Sequence, residues 1–186
     1  MGRLIYAMNV SLDGFVDTPD HSLDWTLIDE DLHRWWNDQE RATSVALYGR
    51  RIYEVMTAYW PTAASDPNAT PAMLEFAGIW NPMPKVVFSR TLGSVAGNSR
   101  LAKGDIEDEL RRVRSEHPGD VQVSGPTLAA SFIERGLVDE YRLVVHPVIL
   151  GAGTPFFPGI RRPIGLRPTD THTFPSGVIY LGYAAN

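Results

Sequence analysis

The 186-residue sequence predicts one α/β domain on a mixed, mostly parallel sheet, with an antiparallel hairpin at its C-terminal end. Three observations carry that expectation. Short β-branched runs alternate with longer helical patterns, as in a largely parallel sheet covered by helices. Glycines and capping residues punctuate the joins between them. The length suits a single core, and no repeat, low-complexity tract or long Pro/Gly/Ser stretch divides the chain.

Arg3 to Val10 reads as the first strand, followed by an Asp-, Gly- and Pro-rich loop from Ser11 to Asp24. From Asp29 to Ala42 the apolar Leu32, Trp35, Trp36 and Ala42 keep near-helical spacing, and Asp29, Glu30 and Asp31 suit a helix start. Ser44 to Tyr48 is a buried strand broken by Gly49, and a second helix runs from about Arg50 to Ala58. Pro61 to Asn68 reads as loop. Thr70-Pro71 supplies a cap and a first-turn proline for a helix towards Trp80. Lys85 to Ser89 and Ser99 to Lys103 are short strands, and Asp105 to His117 is an amphipathic helix stopped by Pro118-Gly119. Asp120 to Ser124 is a strand leading through Gly125-Pro126, where a cis proline is one option, into a helix from Thr127 to Arg135. Gly136 stands where a left-handed C-cap belongs. Tyr141 to Leu150 is a long apolar strand, offered as an edge for dimerisation. Gly165 to Phe174 and Val178 to Tyr183 form the hairpin around Pro175-Ser176-Gly177. The count is about eight strands and four or five helices.

Composition narrows the function. Apolar residues make up 44% and charged residues 21%, the balance of a soluble globular protein. A net charge of -5 argues against nucleic acid or membrane as partner, because phosphate-rich surfaces reward basic ones. A small anionic ligand needs only a local cluster. With no cysteine, disulfides, thiolate metal sites and a cysteine nucleophile are excluded. The first residues form too short an apolar run for an export signal, so a cytoplasmic location is expected and the sequons at Asn9 and Asn68 carry no weight. The five histidines lack ligand spacing, so no metal is expected, and no nucleophile-elbow pattern supports hydrolysis.

Three strand-end turns could hold a dinucleotide, since ligands of open α/β sheets sit beyond the strands' carboxyl ends and phosphates prefer helix N-termini. Gly49-Arg50-Arg51 offers a tight turn and two forked donors. Ser89-Arg90-Thr91 offers two hydroxyls and a guanidinium, and beside Arg50 the two turns could share one 2′-phosphate. Ser124-Gly125-Pro126-Thr127-Leu128 leads into a helix whose free N–H groups suit a pyrophosphate. Each alone is also an ordinary turn; together they favour a dinucleotide over mere capping. Gly151-Ala152-Gly153 is rejected as a dinucleotide fingerprint, because Phe156 fills the third glycine place and no helix follows.

Several motifs, taken in order, carry a resemblance. Ser11-Leu12-Asp13-Gly14 resembles the SLDG motif of the C-terminal reductase domain of the riboflavin-biosynthesis protein RibD, and Val45 to Arg50 resembles the cofactor turn shared with dihydrofolate reductases. Gly136 to Glu140, then His146 to Phe156, is similar to the "LVDE…PVILGxGxPLF" signature of the same family. The resemblance implies a dihydrofolate-reductase-like fold, NADPH, a homodimer, and a pyrimidine-like or pterin-like hydride acceptor, as in 5-amino-6-(5-phosphoribosylamino)uracil reductase. Dihydrofolate reduction and a non-catalytic NADPH-binding module are the alternatives. By position it assigns Gly49, Arg50, Ser89, Arg90, Ser124, Gly125, Thr127 and Leu128 to the cofactor, and Ala7, Ser11, Asp13 and Gly14 to the neighbourhood of nicotinamide and substrate. Ala7 stands where riboflavin reductases carry a lysine and Phe15 follows the SLDG glycine, departures that bear on recognition of a ribose phosphate. No deaminase signature is present, which gives the reading of a stand-alone reductase-like module.

Hydride transfer is mainly the cofactor's chemistry; the protein aligns the rings, excludes water and manages one proton. Asp13 is the first candidate for orienting substrate or relaying that proton. The acid by which dihydrofolate reductases bind the pterin would fall near His33, where Glu30 and Asp31 read instead as first-turn helix residues. Among Trp25, Trp35, Trp36, Tyr59 and Trp60, Trp36 and Tyr59 are the candidates for a wall against a flat substrate.

Overall fold

A computed structural model describes residues 2–186. The chain runs β1 (Leu4–Ser11), α1 (Glu30–Ala42), β2 (Thr43–Gly49), α2 (Arg50–Tyr59), a 3₁₀ turn (Trp60–Ser65), α3 (Pro71–Trp80), β3 (Lys85–Phe88), β4 (Ser99–Leu101), α4 (Ile106–Glu116), β5 (Asp120–Ser124), α5 (Pro126–Glu134), β6 (Glu140–His146), β7 (Leu166–Thr173) and β8 (Ile179–Ala185). The strands form one eight-stranded sheet in the order β4-β3-β2-β5-β1-β6-β8-β7. Pairing is parallel from β4 to β6, and β8 runs antiparallel to both β6 and β7. The expected α/β class, mostly parallel sheet and C-terminal hairpin are all present.

Strand alternation divides the residues between two faces. Leu4 and Tyr6 of β1, Val45 and Leu47 of β2, and Val121 and Val123 of β5 pack with Leu110 and Val113 of α4 and Phe132 and Ile133 of α5. On the opposite face the apolar contacts split into two clusters. Tyr48 and Val87 pack with Phe76 and Trp80 of α3. Leu32 of α1 packs with Val144, Phe174 and Tyr180. Between those clusters the middle strands present smaller or polar side chains, and a cleft opens.

Three expectations need correction. Trp60–Ser65 is a 3₁₀ turn with Pro61 in its first turn, where loop was expected. Proline fixes φ at a helix-compatible value and lacks a donor that a first turn leaves unpaired. The strand read as Tyr141 to Leu150 ends at His146, because Pro147 has no N–H to continue the ladder. It is no edge: β6 pairs with β1 on one side and β8 on the other, leaving β4 and β7 outermost. All peptide bonds among the described residues are trans, Gly125-Pro126 included. No helix among the described residues is long and apolar enough to cross a membrane.

Candidate functional site

The cleft has a volume of about 240 Å³ and lies over β1, β5 and β2, walled by α1, α2 and Phe76 of α3. Its floor comes from the alternate positions that miss the α4/α5 core: Ala7 and Asn9 of β1, Gln122 and Ser124 of β5, and Tyr48 of β2. One face of α1 lines it with His33, Trp36 and Glu40, spaced three and four residues apart as a helix requires. Ile52, Val55 and Met56 of α2 close the other side.

At one end of the cleft two glycine turns adjoin. A Cβ on Gly125 would lie 3.7 Å from Gly49 N, and one on Gly49 3.7 Å from Leu128 Cβ. Gly125 has φ +101°, which side chains rarely adopt, so this turn demands glycine. Each glycine is the N-cap of a helix, α2 or α5, and neither helix start receives a side-chain cap. The other three α-helices are capped by Asp29, Thr70 and Asp105. Free N–H groups and the positive ends of two helices thus converge beside the cleft, an arrangement that favours a pyrophosphate.

Arg50 reaches from this end towards the turn after β3. Its Nη1 donates to Thr91 Oγ1 at 2.8 Å, while Nε donates to Glu54 at 2.7 Å. Ser89 Oγ accepts from the backbone N–H groups of Thr91 and Leu92, at 3.2 and 3.0 Å. Arg90 is exposed on the same turn. The Gly49-Arg50 and Ser89-Arg90-Thr91 turns are therefore neighbours. Arg51 points elsewhere: its Nη1 lies 3.0 Å from His21 Nδ1 and 3.5 Å from Asp17 Oδ2. Thr127 is exposed in the first turn of α5 and Ser124 sits on the cleft floor. This set of donors, cations and close-approach glycines fits a phosphorylated dinucleotide.

The SLDG segment has a different occupation. Asp13 accepts from Ser11 Oγ at 2.7 Å, Leu150 N at 3.1 Å and Gly151 N at 2.7 Å. Those bonds, led by the Ser11 hydroxyl, hold its carboxyl below the ordinary range. The group joins two loops as a carboxylate and lies outside the cleft lining. Ser11 Oγ also accepts from Phe15 N at 2.9 Å, and Gly14, at φ +89°, lends its carbonyl to Phe156 N. After the Gly151-Ala152-Gly153 loop, Phe156 packs into the body, its ring 4.2 Å from that of Tyr6.

Trp36 lines the cleft, but Tyr59 does not. The Tyr59 hydroxyl donates to Asp66 at 2.8 Å, and the neighbouring Trp60 takes the wall position. Glu40, Gln122, Asn9 and Tyr48 were missed as cleft residues. Gln122 had a signal, since Val121 and Val123 alternate with Gln122 and Ser124 along β5. Glu40 had a weaker one: it follows Trp36 by four residues on the same helix. Burial pushes the Glu40 carboxyl up to about 7, against hydrogen bonding by Gln122 and the attraction of Lys85.

Asn9 is held by His146, which is fully buried. His146 Nδ1 accepts from Leu27 N at 3.0 Å, so the ring proton sits on Nε2 and donates to Asn9 Oδ1 at 3.1 Å. Burial lowers its pKa to about 4, keeping the ring neutral. This side chain thereby clips the loop after β1, whose Leu23, Thr26 and Ile28 line the cleft, to β6.

A family model described as the RibD C-terminal domain matches residues 3–180. The chain is 31% identical over 185 residues to an uncharacterized Bacillus subtilis protein, YyaP, covering 99% of this chain and 95% of that one. Among solved structures it is similar to a candidate riboflavin biosynthesis protein from Shewanella sp. PV-4, with TM-score 0.78 and 17% identity, over 100% and 99% of the two chains. It is also similar to the dihydrofolate reductase of Enterococcus faecalis complexed with NADP(H), with TM-score 0.65 and 15% identity, over 100% and 97%.

Proposed function

The chain belongs to the RibD C-terminal domain family, and we propose that it is an NADPH-dependent reductase acting on a small, flat heterocycle. The observation that carries this reading is the pair of uncapped helix starts at adjoining glycine turns. NADPH would lay its pyrophosphate on the N–H groups of Gly49, Arg50 and Arg51 and of Gly125, Thr127 and Leu128, Pro126 having none. Arg50, with Thr91, Ser89 and Arg90 beside it, would hold the 2′-phosphate that separates NADPH from NADH. When bound, the nicotinamide supplies a hydride to an electrophilic carbon of the substrate.

The rest of the work falls to the protein. Trp36 and Trp60 give the substrate flat walls, and the apolar side chains of α2 exclude water. Asp13 fixes the SLDG turn against the Leu150-Gly151 turn, and His146 fixes Asn9 and the loop after β1. Asp13 is in this reading a positioning residue, because its carboxylate is already engaged by three donors. Near His33, the position that the dihydrofolate reductase pattern gives to an acid, the side chain is His33 itself, 3.2 Å from Asn37 Oδ1. That favours a substrate other than dihydrofolate.

The test is calorimetric titration with NADPH and NADH, repeated on Arg50→Ala. NADPH should bind more tightly, and the substitution should remove about 1.5–3 kcal/mol of that preference, the scale of a charge-assisted hydrogen bond. Equal affinity for the two dinucleotides overturns the assignment of Arg50. No binding of either overturns the reductase reading.

A further inference from the structure

Glu40 lines the cleft yet is only 4% exposed. One carboxyl oxygen, Oε1, accepts from Gln122 Nε2 at 3.1 Å. The other, Oε2, is buried with no partner. Trp36, one helical turn earlier on the same face of α1, also lines the cleft, and its indole Nε1 is a buried donor with no partner. Leaving such groups unpaired costs about 1–3 kcal/mol each, so their pairing in one cleft calls for a ligand edge that completes them.

The charge of the lining limits that ligand further. Its polar side chains are Asn9, Thr26, His33, Glu40, Gln122 and Ser124, with the Tyr48 hydroxyl; no lysine or arginine is among the lining residues. A phosphorylated or carboxylated ligand would meet a buried carboxyl and no cation, which is unfavourable.

We propose that Glu40 is the specificity-determining anchor of the cleft, accepting an N–H from an uncharged, unphosphorylated flat heterocycle while Trp36 Nε1 donates to a carbonyl or ring nitrogen beside it. This rests on the reductase reading and sharpens it: the ring edge is a cyclic amide or amidine, and the ribose phosphate of a riboflavin precursor would meet no lysine or arginine in the cleft lining. Gln122 holds the carboxyl in position through Oε1, leaving Oε2 to face the ligand's donor. The groups that act on or respond to Glu40 are its hydrogen-bond partner Gln122 of β5, Lys85 of β3 and Tyr48 of β2. Lys85 is committed to the carbonyls of Trp80 and Met83, so it steadies the Glu40 charge from a distance and is not a rival donor. Because Oε1 already accepts from Gln122, a proton on Glu40 sits on Oε2 and turns it into a donor facing the ligand's donor, and Glu40 holds that proton up to about pH 7. Affinity should therefore fall as pH drops through neutrality.

The experiment titrates the full chain, with and without saturating NADPH, with pterin, 5,6-diaminouracil, their ring-N-methylated derivatives and 5-amino-6-(5-phosphoribosylamino)uracil, following tryptophan fluorescence from pH 6 to 8.5. Expected are binding of pterin or diaminouracil, at least tenfold weaker binding after methylation of the recognised N–H, and no gain from the phosphoribosyl group. Glu40→Gln should weaken the best probe at least tenfold, flatten its pH profile and leave NADPH affinity within about twofold. Should this variant not fold, the wild-type pH profile and the methylated probes decide alone. The proposal is overturned if neither probe binds, if the phosphoribosyl compound binds tenfold more tightly than diaminouracil, or if affinity is independent of pH. Failure of NADPH to bind while a probe still does counts against the reductase reading only.

Discussion

Two kinds of helix start occur in this molecule. At α1, α3 and α4 a side chain caps the helix: Asp29 accepts from Leu32 N, Thr70 from Met73 N and Asp105 from Glu107 N. At α2 and α5 the cap position is glycine and no side chain serves the first turn. The capped starts hold elements in place. The uncapped ones adjoin at the end of the cleft, where in the proposed reading a phosphate oxygen takes the place of a capping side-chain oxygen. The contrast teaches that the helix starts carrying Asp or Thr are closed by their own side chains, while the two glycine starts, which adjoin each other, stay open. Inside the cleft, Glu40 Oε2 and Trp36 Nε1 likewise lack partners.

The contrast can be broken most severely by capping an open start. Gly49 has φ −70° and ψ 162°, a conformation any residue adopts, and a Cβ there meets only Leu128 Cβ at 3.7 Å. Gly49→Asp should raise thermal stability by a few tenths of a kcal/mol through the new cap. The same carboxylate should weaken NADPH at least a hundredfold in a titration, by repelling phosphate. If it binds NADPH normally, the open starts are not the cofactor site.

Gly125→Ala comes next, because φ +101° is strained for alanine. Urea unfolding should show a loss of about 1–3 kcal/mol. The opposite manipulation, removing a native cap, should be purely structural. Asp29 accepts from both Leu32 N and Ser176 N, at 2.8 and 3.0 Å, so Asp29→Ala should cost about 1–2 kcal/mol while NADPH affinity stays unchanged.

The smallest effects concern pH. His146 binds its proton less readily folded than unfolded, so its contribution is neutral above pH 6.5 and destabilises as pH falls from there towards 4. Glu40 has the reverse sign: its raised pKa favours the folded state below about 4.5, and that advantage is lost as pH rises through about 7. The two slopes oppose each other between pH 4.5 and 6.5. Urea unfolding across that window should be nearly flat for the wild type. Glu40→Gln should unmask the His146 slope, stability rising with pH by at most about 1.4 kcal/mol per unit. An unchanged profile would mean that the buried carboxyl does not titrate there.

Much of the fold was legible because its signals are local. The alternation Val121, Gln122, Val123, Ser124 assigns two faces, and Thr70-Pro71 writes a helix start into adjacent residues. The strand-end turns could be found for the same reason, each being a short run of glycine, hydroxyl and arginine. What could not be read was which turns meet. Arg50 finds Thr91 while Arg51, one residue on, faces Asp17 and His21, a choice made by the direction each side chain takes from the helix. Tyr59 and Trp60 divide in the same way, one to Asp66 and one to the cleft.

The sequence by itself determined the order of strands and helices, the faces they bury and the places where a phosphate could be met, because periods of 2 and 3.6 and capping chemistry act within a few residues. Only the tertiary structure decided what the carboxyls do. Asp13 is engaged by backbone N–H groups of residues 150 and 151, and Glu40 is buried by strands and helices that come later in the chain. A carboxyl's hydration and partners are set by segments distant in sequence, and its chemistry is set by them.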